Sequence, residues 1–292
     1  MKRSFRAYLA DECIKRVYRI TKNTVIKDLS DFKTNKDSYI IPKWLNFPRK
    51  IETKLYNNMQ VFEMPSEQNN DKNIMYIHGG GYVYNFSIYH WMFLSDIVKN
   101  SGYGFTVANY PLLPKYTYKE AYEKMLDYYK EYSNSHDMKD VVIIGDSAGG
   151  GFVLSLLQQL KDLKLELPGK AILISPFVDV TNVNEKLSDK DSMLDSETAL
   201  IVGSAWADGD DLKSPKISPL YGKLDGLPPI DIYVGTYEIL YDQCIQLYNK
   251  LKNCGNDVNI HIGEEMGHVY PLYPIPEGKE ARKTIIEFIH KN

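Results

Sequence analysis

The chain of 292 residues is poor in cysteine, holding only Cys13, Cys244 and Cys254. An odd number at such spacings supplies neither a disulfide framework nor a metal-ligand pattern, and it fits a reducing, intracellular compartment. Long apolar runs are missing as well. The stretch from Met1 to Glu12 is interrupted by Arg6, Asp11 and Glu12 before any apolar core of secretory length, so no signal peptide is read and no segment approaches membrane-spanning length. The expectation is a cytoplasmic protein without stable membrane insertion. Blocks of one charge are absent too: 35 basic residues meet 38 acidic ones for a formal balance of −3, which excludes a basic footprint for nucleic acid. Internal repeats and low-complexity segments are not found. What is left, 43% hydrophobic and 25% charged, is ordinary for a globular chain long enough to bury a sizeable core.

What is present is a rhythm. Residues 3–21 carry Tyr8, Leu9, Cys13, Ile14, Val17 and Tyr18 at helical spacing, which predicts an amphipathic helix that covers something. Residues 21–48 are polar and lysine-rich and are expected to be irregular or partly ordered covering structure. Runs 51–56 and 59–64, joined by Asn57-Asn58, predict a hairpin of edge strands, because Asn tolerates the positive φ of a tight turn. From Asn73 onward strands and helices alternate. Strands are predicted at 74–77, 105–108, 141–144, 171–174, 230–234 and 258–262, with helices at 89–99, 119–132, 148–163, 240–253 and 280–290. Such alternation implies a mostly parallel sheet with helices on both faces. The rhythm breaks from Asp179 to about Pro219, a functional lid or packed excursion with a helix near 196–206 and Ser196 as its expected N-cap.

Chemistry concentrates where strands end, since ligands of an open parallel sheet collect beyond its carboxyl edge. Val141 to Ile144 runs into Gly145-Asp146-Ser147-Ala148-Gly149, a strand, a sharp turn and a helix that would hold the Ser147 hydroxyl above the sheet as a nucleophile. A phosphate loop is disfavoured, because no Lys follows the glycines and Asp146 puts negative charge where an anion would sit. After the strand at 74–77 comes His78-Gly79-Gly80-Gly81, whose backbone N–H groups can converge on an oxyanion, with the N–H of Ala148 as partner donor. A serine nucleophile needs a base and the base an orienting carboxylate. His78 is expected to brace the glycine turn, while His90, His136, His261 and His290 sit in or beside regular elements. His268 follows the final strand and is the base by elimination and by position. For the acid, Glu238 lies in the loop after 230–234 and is favoured, Asp242 one helical turn on is the alternative, and Asp231 is at the wrong end of its strand.

With those residues placed, the sequence resembles the α/β-hydrolase superfamily, and within it the hormone-sensitive-lipase-like carboxylesterases and acetyl esterases. The resemblance runs from about Asn73 to the carboxyl terminus and rests on His78-Gly79-Gly80-Gly81, Gly145 to Gly150, Ser175-Pro176-Phe177, Ser218-Pro219-Leu220, Leu227-Pro228-Pro229, Gly235 to Asp242 and Gly267-His268-Val269. It implies an α/β-hydrolase fold with a mostly parallel eight-stranded sheet and a helical cap. The divisions expected are a cap segment at 1–48, core at 49–178, a cap insertion at 179–214 and core at 215–292. It implies a Ser147 nucleophile, a His268 base, a Glu238 acid and oxyanion donors at Gly80, Gly81 and Ala148. No metal or organic cofactor is implied. Two departures stand out: Asn109-Tyr110-Pro111 replaces the common Asp-Tyr-Arg, and Glu238 is one methylene longer than the usual Asp. The expected function is hydrolysis of short-chain acyl esters of small molecules, with Tyr82 and Tyr84 as candidate substrate contacts. An amidase or formamidase using the same residues, or a non-catalytic binder, are the rivals, and monomer and homodimer both stay open.

Overall fold

A computed structural model describes residues 3–30, 39–67 and 72–291. Its centre is a sheet of eight strands in the order β1-β2-β4-β3-β5-β6-β7-β8. These are β1 (Glu52–Tyr56), β2 (Met59–Met64), β3 (Asn73–Ile77), β4 (Gly104–Ala108), β5 (Val141–Asp146), β6 (Lys170–Ile174), β7 (Ile230–Gly235) and β8 (Val258–Gly263). From β4 through β3 to β8 all pairs are parallel, and only β1–β2 and β2–β4 are antiparallel. Asn57 and Asn58 take φ of 46° and 64°, the left-handed pair that a two-residue hairpin turn demands. Only half of the edge expectation holds. β1 is the edge, whereas β2 pairs on its other side with β4, Val61 opposite Ala108, and its residues are largely buried.

Every residue of β3, β4, β5 and β7 is buried, as expected of apolar runs covered on both faces. Period-two alternation splits them. Met75, Ile77, Ile143, Leu173 and Ile232 join one core with helices α3 (Tyr118–Ser133), α4 (Ala148–Asp162) and α6 (Tyr241–Asn253). Ile74, Tyr76, Val142, Ile144 and Ile172 join the other, with α2 (Ile88–Ser101) and α7 (Pro276–His290). α7 starts about a turn earlier than the sequence suggests because Pro276 occupies its first turn, where a missing N–H costs nothing.

The first helix, α1, spans Phe5–Ser30 and so continues through residues expected to be irregular. No Gly or Pro interrupts 21–30, and once a helix is nucleated each further residue adds a bond at low cost. Residues 31–38 of that expected segment lie outside the described residues. Downstream, Tyr39 stacks on Trp91 at 5.9 Å and Phe47 meets the same indole edge-on, so this stretch covers the α2 side of the core. The passage between β6 and β7 contains α5 (Ser196–Ala207), and its N-cap is Asp195 rather than Ser196. The Asp195 carboxylate accepts from Thr198 N at 2.9 Å, one residue earlier than expected, leaving Ser196 inside the first turn. α1 touches α5, and both lie over the carboxyl ends of the strands. Among the described residues no helix is long and apolar enough to cross a membrane.

Candidate active site

The turn between β5 and α4 holds Ser147 at φ 52° and ψ −123°, a backbone state costing on the order of 1–3 kcal/mol for a side chain bearing a Cβ. Neighbours fix it there: Ser147 N donates to Ile174 O at 2.8 Å, while Ser147 O accepts from Gly151 N at 3.1 Å and Phe177 N at 2.9 Å. Close packing explains the flanking glycines. A Cβ on Gly145 would collide with the Gly149 carbonyl, and one on Gly149 with the carbonyls of Ile77 and His78.

Three distant segments meet at this serine. His268 Nε2 lies 2.8 Å from Ser147 Oγ, and His268 Nδ1 lies 2.7 Å from Glu238 Oε2. A carboxylate can only accept, so Nδ1 carries the proton and the lone pair of Nε2 faces the serine hydroxyl. Glu238 is fully buried, and its other oxygen accepts from Ser175 Oγ at 2.9 Å and Gly235 N at 2.5 Å. Those two donors draw the longer Glu side chain back toward the end of β7. Ser175 Oγ also accepts from Val269 N at 3.1 Å, tying the histidine loop to the acid loop. Burial alone would push the His268 pKa down, but the Glu238 hydrogen bond and the negative charges of Glu238, Asp191 and Asp146 outweigh it and hold the pKa above the ordinary histidine value. Asp242, the alternative acid, is exposed and accepts from Asn184 Nδ2 at 2.6 Å, and Asp231 pairs with Asn259 and His261 at the far end of its strand.

The glycine turn folds beside the serine. Gly80, Gly81 and Tyr82 have φ of 104°, 61° and 57°. The Gly80 carbonyl accepts from Val83 N and Tyr84 N. Among the described residues the N–H groups of Gly80 and Gly81 meet no acceptor, and Ala148 N–H is one of the orphan donors of the first turn of α4. Asp146 does not occupy an anion's place. Its Oδ1 accepts from Gly79 N at 3.0 Å and Tyr76 Oη at 2.7 Å, and its Oδ2 lies 3.2 Å from His90 Nε2. Burial would raise its pKa, yet the charge and hydrogen bond of His90, with those of Tyr76 and Gly79, bring it below the ordinary value. His90 in turn closes the capping box of α2 with Ser87. His78 braces the turn as expected: Nδ1 lies 2.7 Å from Gly79 O, the ring stacks on Tyr110 at 4.6 Å, and burial pushes its pKa down to about 4.

A cavity of about 1080 Å³ opens over Ser147 and His268. Its walls are mainly apolar, with Leu9, Cys13 and Val17 of α1 on one side and Met193, Leu194 and Val202 of the β6–β7 passage on another. Tyr84 lines it, as expected. Tyr82 does not: the positive φ at 80–82 turns its ring into the core, parallel to Trp206 at 4.1 Å, where it is 1% exposed. Ser175 and Asp191 had no role assigned from sequence. Ser175 sits at φ 45° just past β6, in the Ser-Pro-Phe motif, and that position after a strand was the available signal. Among the described residues no three His, Cys, Asp or Glu side chains converge as a metal would need.

A parallel sheet whose fifth strand feeds a serine turn and a glycine-flanked helix, with a histidine loop after the last strand, defines an α/β-hydrolase. Residues 74–272 match the family model described as the alpha/beta hydrolase fold. An esterase of Acinetobacter venetianus is 32% identical over 222 residues, covering 74% of this chain and 73% of that protein. An acetyl-hydrolase of Streptomyces hygroscopicus is 29% identical over 224 residues, 75% of each. Among solved structures, an esterase from the bacterial hormone-sensitive lipase family superposes with a TM-score of 0.82 at 25% identity, covering 99% of this chain and 98% of that one. The chain belongs to the α/β-hydrolase family, among its hormone-sensitive-lipase-like esterases, and is a carboxylic ester hydrolase.

Proposed function

We propose a serine carboxylesterase that works through Ser147, His268 and Glu238 and an acyl-enzyme. The observation that carries this reading is the unbroken chain of hydrogen bonds from the serine hydroxyl through the imidazole to the carboxylate, 2.8 Å and 2.7 Å long. His268 takes the hydroxyl proton as Ser147 Oγ attacks the ester carbonyl. The N–H groups of Gly80, Gly81 and Ala148 receive the negative oxygen, each such donor being worth on the order of a hundred- to thousandfold in rate. The imidazolium then protonates the departing alcohol. Water, deprotonated by the same imidazole, releases the acid and returns the serine.

The substrate we assign is a small-molecule ester with a short, acetyl-like acyl group, a reading supported by the acetyl-hydrolase relative. An acetyl group fills little of a cavity of about 1080 Å³, so the remaining apolar volume is assigned to the alcohol part. α1 and the 179–214 passage act as the cap that supplies this volume. Three unpaired cysteines, two of them exposed, support a reducing compartment and the cytoplasm as its location. The test is Ser147→Ala with p-nitrophenyl acetate, butyrate and octanoate. Turnover should drop at least about a thousandfold on every ester, with the acetate and butyrate rates of the parent exceeding that on octanoate. Full activity in the variant removes the serine mechanism, and an octanoate optimum removes the short-chain assignment.

A further inference from the structure

The passage between β6 and α5 carries a carboxylate that the scheme above leaves unused. Asp191 is 3% exposed. Its Oδ1 accepts from Met193 N at 2.9 Å and Leu194 N at 3.0 Å, which closes its own turn. Its Oδ2 reaches out of that turn and accepts from Ile239 N at 2.9 Å. Ile239 is the residue after Glu238, so one buried carboxylate links the insertion to the backbone that presents the acid.

The charged groups facing it can be named. Asp191 feels His268 and Glu238, and His268 feels Glu238, Asp191 and Asp146. Outside this shell, the Ser192 hydroxyl donates to Asp11, which also takes Arg3, and the Lys190 ammonium lies 5.1 Å over the Tyr237 ring. A capping carboxylate for the 191–194 turn alone would have no need to reach Ile239 or to stand within the field of the imidazole.

Resting on the reading of Ser147, His268 and Glu238 as the catalytic set, we propose that Asp191 is a positioning residue for the same reaction. From the insertion it fixes the backbone that carries Glu238 and keeps a further negative charge, beside those of Glu238 and Asp146, facing the His268 imidazole. When His268 takes the serine proton, a positive charge forms in a buried place, and Asp191 adds to the stabilisation that Glu238 and Asp146 give it. Burial pushes the Asp191 pKa up to about 6. The His268 pKa is itself held above the ordinary histidine value, so the pH range in which the imidazole is neutral is also the range in which Asp191 carries its charge.

The test is Asp191→Asn, nearly the same size, with p-nitrophenyl butyrate as the probe. The amide can still cap Met193 and Leu194 through its oxygen but turns its NH2 toward the Ile239 N–H. Expected are a kcat lower by roughly ten- to hundredfold, a KM within about threefold, and an acid limb of kcat/KM displaced downward by about half a pH unit or more. A role confined to the turn would lower the melting temperature and leave both kcat and the limb in place, and that result overturns the proposal. If Asp191→Asn does not accumulate folded, Asp191→Ala is assayed with formate or formamide added: recovery with formate alone supports the further charge, and equal responses, including none, overturn it. Ser147→Ala run in parallel separates the two readings. An inactive Ser147→Ala beside an unperturbed Asp191→Asn removes only the role of Asp191, whereas a fully active Ser147→Ala removes the catalytic set itself.

Discussion

Replacing Gly79 by alanine adds a single methyl group at the point where the glycine turn leans on the nucleophile strand. An ideal Cβ there would stand 2.7 Å from the Asp146 carbonyl oxygen and 2.9 Å from the Ser147 Cβ, and nearer still to Asp146 Oδ2. Ordinary contact for such pairs begins near 3.4 Å, so the shortfall from the two backbone-fixed atoms is about half an ångström or more. Neither can yield, because Asp146 and Ser147 are pinned by Tyr76, His90, Ile174 and Phe177. The turn itself must move, stretching the 3.0 Å bond from Gly79 N to Asp146 and carrying the N–H groups of Gly80 and Gly81 off their aim. A misplacement near 1 Å costs about a hundredfold in rate, and losing one oxyanion donor costs about 2.7–4 kcal/mol of barrier. Gly79→Ala should therefore lower kcat on p-nitrophenyl acetate by roughly a hundred- to thousandfold, with KM changed only a few-fold and the circular-dichroism melt within several degrees of the parent. Gly81→Ala is the contrast. Among the described residues its Cβ would meet nothing closer than Val202 at 3.8 Å, so its penalty comes from φ of +61°, about 1–2 kcal/mol, and appears in stability as well as rate. A folded Gly79→Ala enzyme with kcat within about threefold of the parent would mean that the turn takes up the methyl group without disturbing its N–H groups.

With His268 as the base, its raised pKa should set the acid limb of kcat/KM above the ordinary histidine value of 6.5, because only the neutral imidazole can accept the serine proton. The stability linkage has the opposite sense: the native state holds that proton more tightly, so its contribution is full below the unfolded pKa and fades as pH rises through the folded one. A pH series of initial rates beside denaturant melts checks both, and Glu238→Gln, which removes the main group raising the pKa, should pull the limb downward and cut kcat by about a thousandfold or more. A limb that stays put in Glu238→Gln would mean another group governs it. Tyr82→Leu removes the ring stacked on Trp206 and should cost about 2–4 kcal/mol in urea unfolding while leaving KM for small esters within about twofold, since that ring faces the core. A large KM change with little loss of stability would put Tyr82 back in the cavity.

The sheet and the serine turn were legible because their signals are local. Val141 to Gly149 contains the strand period, the glycines and the candidate nucleophile in nine consecutive residues. His268 and Glu238 followed from a rule about which ends of strands gather ligands, and the hydrogen bonds of the folded chain bring His268 to Ser147 and Glu238 to His268. What escaped depends on neighbours that are remote in sequence. The second partner of β2 is β4, and the helix past residue 21 lacks any breaker to announce or forbid it. Tyr82 was misdirected because three consecutive positive φ values reverse which way a side chain leaves the turn, and nothing in Gly80-Gly81-Tyr82 announces that Tyr82 shares the state of the glycines. Asp191 and Ser175 acquire meaning only once the insertion, the acid loop and the histidine loop lie against one another.

The groups around the serine hydroxyl come from residues 78–81, 146–148, 238 and 268, while one wall of the chamber above them comes from Leu9, Cys13 and Val17. That wall is moored by contacts of a different kind, among them Ser4 Oγ on Glu277 at the start of α7. The α1 wall and the groups that gather at the serine thus come from separate stretches of the chain. Exchanging residues on the inner face of the first helix should therefore reshape the chamber without touching the hydrogen bonds among Ser147, His268 and Glu238, and chains that differ only in that wall are expected to share a reaction and differ in diet.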